Sequence, residues 1–260
     1  MNKPRKLIHC WIVALILIVA GSQFNAVQTV FADEPLPPVK PEVERKVDYS
    51  EGRLGIRAEL IATSDNYGYT LDTGAVYNWI EINSTGAEVS FSNLDDGYSN
   101  PIPIGFDFKF YEDSYPELYV STNGLITFGK GSYEFVNQPI PRDITPDNLL
   151  APFWDDLQLP PGSKVYTYAG NGASGKYFVV EWSQVTRLNS PDQLTFQAIL
   201  HENGNIIFQY KQLNGIIDQA TVGIEDRDGI DGLLDLYTAS GLSAAKAIPF
   251  TPQCICPPAA

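Results

Sequence analysis

KYFVVEWSQVTRLNSPDQLTFQAILHENGNIIFQYK (176–211) decides the fold class. Three runs rich in Val, Ile, Phe and Tyr lie here, at 176–185, 194–201 and 205–211, separated by polar, Pro- and Gly-bearing breaks. β-branched and aromatic residues suit a pleated, half-buried surface. HENGN between the last two runs predicts a tight hairpin, because Asn-Gly tolerates the positive φ angles such a turn needs.

The same pattern extends on both sides. YNWIEI (77–82), EVSFS (88–92), IPIGFDFKF (102–110), ELYVST (117–122), LITFG (125–129), LLAPFWDDL (149–157) and KVYTYA (164–169) read as strands before it. ATVGIED (220–226) and AIPFTP (247–252) follow it. Ile104, Phe106, Phe108 and Phe110 alternate at period two, the mark of a strand with one buried face. No amphipathic helix emerges, and SAAKA (243–247) is too short for one. Strands at this spacing predict a single antiparallel β-sandwich with short hairpins over residues 66–252.

The N-terminus predicts export. Lys3, Arg5 and Lys6 precede an apolar run from Leu7 to Gly21, and Val30-Phe31-Ala32 offers small residues for cleavage after Ala32. The run is about 15 residues, short of the roughly 20 that span a bilayer. Residues 1–32 are therefore a signal peptide, with no membrane insertion after cleavage. Cys10 lies at the start of the apolar run, well before the cleavage site, and is not a lipoprotein cysteine. Residues 33–65, with Pro35, Pro37, Pro38 and Pro41 among charges, form a disordered linker; RLGIRAELI (53–61) adds at most one poorly defined strand. Residues 253–260 form a Cys/Pro tail.

Removing the signal takes three of the chain's 17 basic residues and leaves 14 against 31 acidic ones, a net charge of −17. Such a surface repels nucleic acid and anionic lipid. With only Cys254 and Cys256 in the exported part, the fold rests on its core and not on disulfides. A C-x-C pair closes a ring too small for easy bridging. Its alternatives are a bridge between chains, an attachment point, a weak metal site or two free thiols.

Several phrases together carry a resemblance: ELYVSTNGLITFG (117–129), NLLAPFWDDL (148–157), YFVVEWSQV (177–185), FQAILHENGNIIFQYK (196–211) and ATVGIEDRDGIDGL (220–233). The stretch from Tyr67 to Pro252 resembles the nidogen-type extracellular β domain. It is closer to the bacterial version found as an accessory module of secreted subtilisin-like proteases and on large surface proteins. The resemblance implies a binding or adhesion module that brings no catalytic residues.

The residues agree with a non-catalytic reading. His201 is the one histidine after the signal peptide, and a hydrolytic triad needs a histidine beside its nucleophile; at a hairpin, a packed or solvated imidazole is the ordinary role. No HExxH supplies zinc. Asp155, Asp156, Glu181 and Glu225 are the carboxylates from which a glycosidase pair would be drawn, although Asp155 and Asp156 face opposite ways if their strand continues. Trp79, Trp154 and Trp182 suit sugar stacking or core packing, the latter better in apolar strands. Asn123-Gly124 reads as a turn, and so does Asp95-Asp96-Gly97.

Calcium is the one ion the sequence suggests. Asp226, Asp228 and Asp231 of DRDGIDG (226–232) are its candidate ligands. As an EF-hand loop the segment fails, with Ile230, Asp231 and Tyr237 at the wrong positions, and a plain Asp-Gly turn competes. No other cofactor is implied. The expected function is a secreted or cell-surface binding or adhesion module whose partner is an extracellular protein or polysaccharide. A carbohydrate-binding accessory to a secreted hydrolase is the second reading and a carboxylate-pair glycosidase the third.

Overall fold

The computed structural model describes residues 63–253 except 73 and 216. The expected signal peptide, the expected linker up to residue 62 and the tail cysteines lie outside the described residues. Among the described residues, fourteen strands form two sheets. They are β1 (Tyr69–Leu71), β2 (Ala87–Glu88), β3 (Ile102–Phe110), β4 (Asp113–Val120), β5 (Ile126–Thr127), β6 (Leu149–Trp154) and β7 (Leu157–Gln158). Then come β8 (Lys164–Gly172), β9 (Gly175–Arg187), β10 (Gln193–His201), β11 (Ile206–Asn214), β12 (Thr221–Glu225), β13 (Gly232–Tyr237) and β14 (Lys246–Pro252). The larger sheet runs β1-β14-β11-β10-β9-β8-β2, with β7 joined to β9; the smaller runs β13-β12-β6-β5-β4-β3. The pairings are antiparallel throughout. The all-β sandwich expected from the sequence is the fold observed.

The inner faces meet in one core. Phe108, Phe110, Leu118, Val120, Leu150 and Phe153 come from the smaller sheet. Val180, Trp182, Phe196, Leu200, Phe208 and Phe250 come from the larger. Trp182 stacks on Phe196 with ring centroids 5.0 Å apart and donates from Nε1 to Ser121 O at 2.9 Å. The period-two file in β3 holds: Ile104, Phe108 and Phe110 are buried while Pro103, Gly105, Asp107 and Lys109 are exposed. The predicted hairpin closes β10 onto β11, with Gly204 at φ +88°.

Several expectations change. YNWIEI (77–82) is not a strand; it crosses the outer face of the larger sheet as an extended strap outside the ladder. Side chains satisfy its backbone at Asn78 and Ile80, and the backbone of Thr85 and Gly86 donates to Ile82 O, so an apolar, β-prone run need not pair. Of EVSFS only Glu88 lies in a strand, the short β2, and of LITFG only Ile126–Thr127. GLLDLY forms β13, an edge strand that pairs with β12; its two adjacent leucines hide the alternation. Thr63–Asp65, placed by composition in the linker, lies against the domain: Ser64 bridges Thr70, and Asp65 Oδ1 accepts from Gly68 and Tyr69 N, both at 2.7 Å. Among the described residues no helix is long and apolar enough to cross a membrane.

Both outer faces are partly covered. The strap seals Val179 and Ile199 with Ile82. Opposite, Ile140 packs with Leu125, Leu149, Ala151 and Trp154. That second cover explains why all six residues of β6 are buried instead of alternate ones.

Candidate functional site

The STNG phrase forms the turn from β4 to β5 and fastens one end of the sandwich. Ser121 N donates to Leu125 O at 2.8 Å, and Gly124 sits at φ +73°. Asn123 is fully buried. Its Oδ1 accepts from Leu157 N at 2.9 Å, and its Nδ2 donates to Asp96 Oδ1 at 3.1 Å and Tyr133 O at 3.4 Å. Thr122 N donates to Gly97 O at 2.9 Å, and Gly97 N donates back to Thr122 Oγ1 at 2.9 Å. One short turn thus draws together residues 95–97, the loop at 133 and the end of APFWDDL.

The strand of APFWDDL stops at Trp154, and the two aspartates separate. Asp155 turns inward: Oδ1 accepts from Asp156 N at 2.9 Å, and Oδ2 lies 4.0 Å from Arg187 Nη1, whose Nε holds Asp192 at 2.6 Å. Asp156 turns to the partly exposed side and meets Asp95 and Asp96. One carboxylate oxygen from each lies within 4.8 Å of the others. Burial and the neighbouring Asp96 raise the Asp95 pKa. Burial, then Asp96, Asp95 and Asp155, raise that of Asp156. Burial first, and then like-charge repulsion, disfavour the ionised carboxylates, a cost that a proton or a hard cation would relieve. Tyr98 and Tyr133 are 41% and 65% exposed at this end. Tyr98 lies against Gly131, where a Cβ would stand 2.0 Å from its ring.

The aspartates of DRDGIDG occupy the opposite kind of environment. Asp226 Oδ1 accepts from Ile230 N at 3.0 Å and Asp231 N at 3.3 Å, closing the β12–β13 turn. Asp231 Oδ1 accepts from Asn66 N at 3.1 Å, and Oδ2 from Tyr67 N at 2.7 Å, pinning the start of the domain. Asp228 is exposed and lies 3.6 Å from Arg227 Nε. The three are not brought together as a ligand group: among the described residues that description fits Asp95, Asp96 and Asp156.

The remaining candidates are dispersed. His201 is half-buried beside Tyr177, and burial lowers its pKa. Glu181 in β9 and Glu225 in β12 are buried on different sheets, at 1% and 2% exposure, so neither lines an open cleft. Trp154 and Trp182 are core residues, while Trp79 lies in the strap under Lys211 Nζ, 5.3 Å from its ring centroid. Asp95, Asp96, Tyr98 and Tyr133 escaped the sequence reading as a group. DDGYSN carries a turn signal and nothing that links it to Asp156.

Fold and family match together define a two-sheet, antiparallel β domain of the NIDO-related class. The NIDO-related family matches residues 66–254, and the chain belongs to that family. Alpha-tectorin of mouse and of human are each 24% identical to it over 185 residues, which cover 60% of this chain and 8% of theirs. The chain therefore corresponds to a small part of those relatives. No solved structure matches.

Proposed function

We propose that the domain is a secreted binding or adhesion module, exported by cleavage after Ala32, which grips its partner with the acidic, tyrosine-rimmed end of the sandwich. The convergence of STNG and APFWDDL on Asp95, Asp96 and Asp156 carries this reading. A second reading, a polysaccharide-gripping accessory to a secreted hydrolase, draws support from Tyr98 and Tyr133, because an exposed ring beside carboxylates suits a sugar face and its hydroxyls.

A glycan and matrix-protein binding screen with the exported chain, from Asp33 onward, tests both. Tyr133→Ala and Asp156→Asn are each expected to weaken the binding found by tenfold or more, while Glu202→Gln at the β10–β11 hairpin leaves it unchanged. Glycan hits favour the second reading and protein hits the first. Binding indifferent to both substitutions refutes the assignment of this end.

Calcium is tested separately by thermal melting in EDTA, several millimolar CaCl₂ and MgCl₂. Extracellular sites often have Kd near 10⁻⁴–10⁻³ M, so an ion held only by the native state adds about 1–2 kcal/mol, or roughly 3–6 °C for a domain of this size. A Ca²⁺-specific rise lost in Asp156→Asn places the ion among Asp95, Asp96 and Asp156. A rise lost instead in Asp228→Ala places it at DRDGIDG. Equal melts in Ca²⁺ and Mg²⁺ exclude a calcium site at both places.

A further inference from the structure

The strap at 77–82 lies on a ladder of polar side chains. Gln209 of β11, Gln197 of β10 and Glu181 of β9 stand side by side in register across the outer face of the larger sheet. Each faces every second residue of the strap. Gln209 Oε1 accepts from Asn78 N at 2.7 Å, and Nε2 donates to Asn78 O at 2.8 Å. The Gln197 carboxamide, oriented to satisfy both partners, donates to Ile80 O at 3.2 Å and accepts from Ile80 N at 3.1 Å. Glu181 takes the third rung, facing the backbone N–H of Ile82.

The third rung departs from the first two in chemistry. A carboxamide offers one donor and one acceptor and so matches both halves of a peptide unit. An ionised carboxylate only accepts, and Glu181 Oε2 is buried without a hydrogen-bond partner. A neutral carboxyl restores the carboxamide's planar shape and supplies one O–H donor beside its carbonyl acceptor. Around it stand Glu81 and Tyr77 on the strap, Tyr166 directly across on β8, and Lys211 on β11. Lys164 and Tyr168 of β8, Tyr177 of β9 and His201 of β10 share this face farther along. Lys211 is paired with Glu81 and lies over the Trp79 ring.

We propose that the strap is a proton-dependent clamp: with Glu181 neutral it is closed on the sheet, and as Glu181 ionises it loosens around Ile82 and uncovers Val179, Ile199 and Ile207. Burial first, then the charge of Glu81, raises the Glu181 pKa to about 7, against the weaker pull of Lys211. The open strap returns Glu181 to water and its ordinary value of 4.5. The closed form therefore binds the extra proton, its advantage is complete below the open-state value, and it fades as pH rises toward 7. Opening should increase by roughly tenfold or more between pH 5 and pH 8.

Amide hydrogen exchange, expressed as protection factors so that intrinsic pH effects cancel, reads this directly. Protection at Asn78, Ile80 and Ile82 is expected to fall tenfold or more from pH 5 to pH 8, while Ala198 in β10 falls less. Glu181→Gln completes the carboxamide ladder and should keep the strap protected at pH 8. Glu81→Gln removes the like charge that raises the Glu181 pKa and should move the fall to lower pH. Strap protection that is flat in the wild type, a fall that survives Glu181→Gln, or an equal fall at Ala198 would each overturn the clamp.

Discussion

Gly124→Ala is expected to lower the melting temperature by about 10 °C or more, or to prevent folding. Gly124 holds φ +73°, a left-handed conformation that costs an L-residue about 1 kcal/mol. The larger effect is spatial. A Cβ there would stand 1.9 Å from the Phe153 carbonyl oxygen and 2.8 Å from its carbon. That carbonyl belongs to β6, held between β5 and β12, so it cannot withdraw without breaking a central strand. A clash with fixed backbone plus the unfavourable φ should total about 3–5 kcal/mol, at roughly 2–4 °C per kcal/mol for a domain of this length. Gly129→Ala is the control. Its φ is +79° but nothing lies within 4 Å of the added methyl, so its loss should stay near 1 kcal/mol. Circular-dichroism melts of both variants make the comparison, and equal losses would contradict the packing argument.

The domain is expected to be most stable at mildly acidic pH and to weaken toward pH 8, with Glu225 responsible for the largest single share. Glu225 is buried in β12, where Oε2 accepts from Arg142 N at 2.8 Å. Burial, then the charges of Asp147 and Asp226, pushes its pKa up to about 8 from 4.5. The native state thus holds a proton that the unfolded chain releases. The stabilisation is complete below the unfolded value and is lost as pH rises through the native one. Burial shifts Glu181, Asp65, Asp147, Asp155 and Asp235 the same way, so the trend belongs to the whole domain. Glu225→Gln should remove about 2–3 kcal/mol of the loss at pH 8, seen as a melting temperature roughly 5–10 °C above wild type there and little changed near pH 5. A wild-type melting temperature that rises from pH 5 to pH 8 would contradict the sign, and an unshifted Glu225→Gln would remove Glu225 from the account.

Gly124 also shows where local reading ends. Asn-Gly is a turn signal, and the turn is there. The signal does not say that Asn123 is buried or that it ties Asp96, Tyr133 and Leu157 to one another. The same division separates the two aspartate clusters. DRDGIDG is visible as a cluster because its members are neighbours in the chain, yet Asp226 and Asp231 are engaged with backbone amides. Asp95, Asp96 and Asp156 are distant in sequence, and only the closed sandwich makes them neighbours.

By itself the sequence determined the all-β class, the β10–β11 hairpin and the alternating burial of β3. Those follow from side-chain period and turn chemistry, which act over a few residues and are written consecutively in the chain. Tertiary structure decided whether an apolar run pairs with a sheet or lies across one. Residues 77–82 have strand composition, but Gln209 and Gln197 satisfy the backbone of Asn78 and Ile80 from distant strands, so the run becomes a strap. Tertiary structure also decided that β6 is covered on both faces and that the carboxylates of 95, 96 and 156 share one end. Each of these depends on which surfaces meet after the chain closes, a non-local fact that no window of sequence contains.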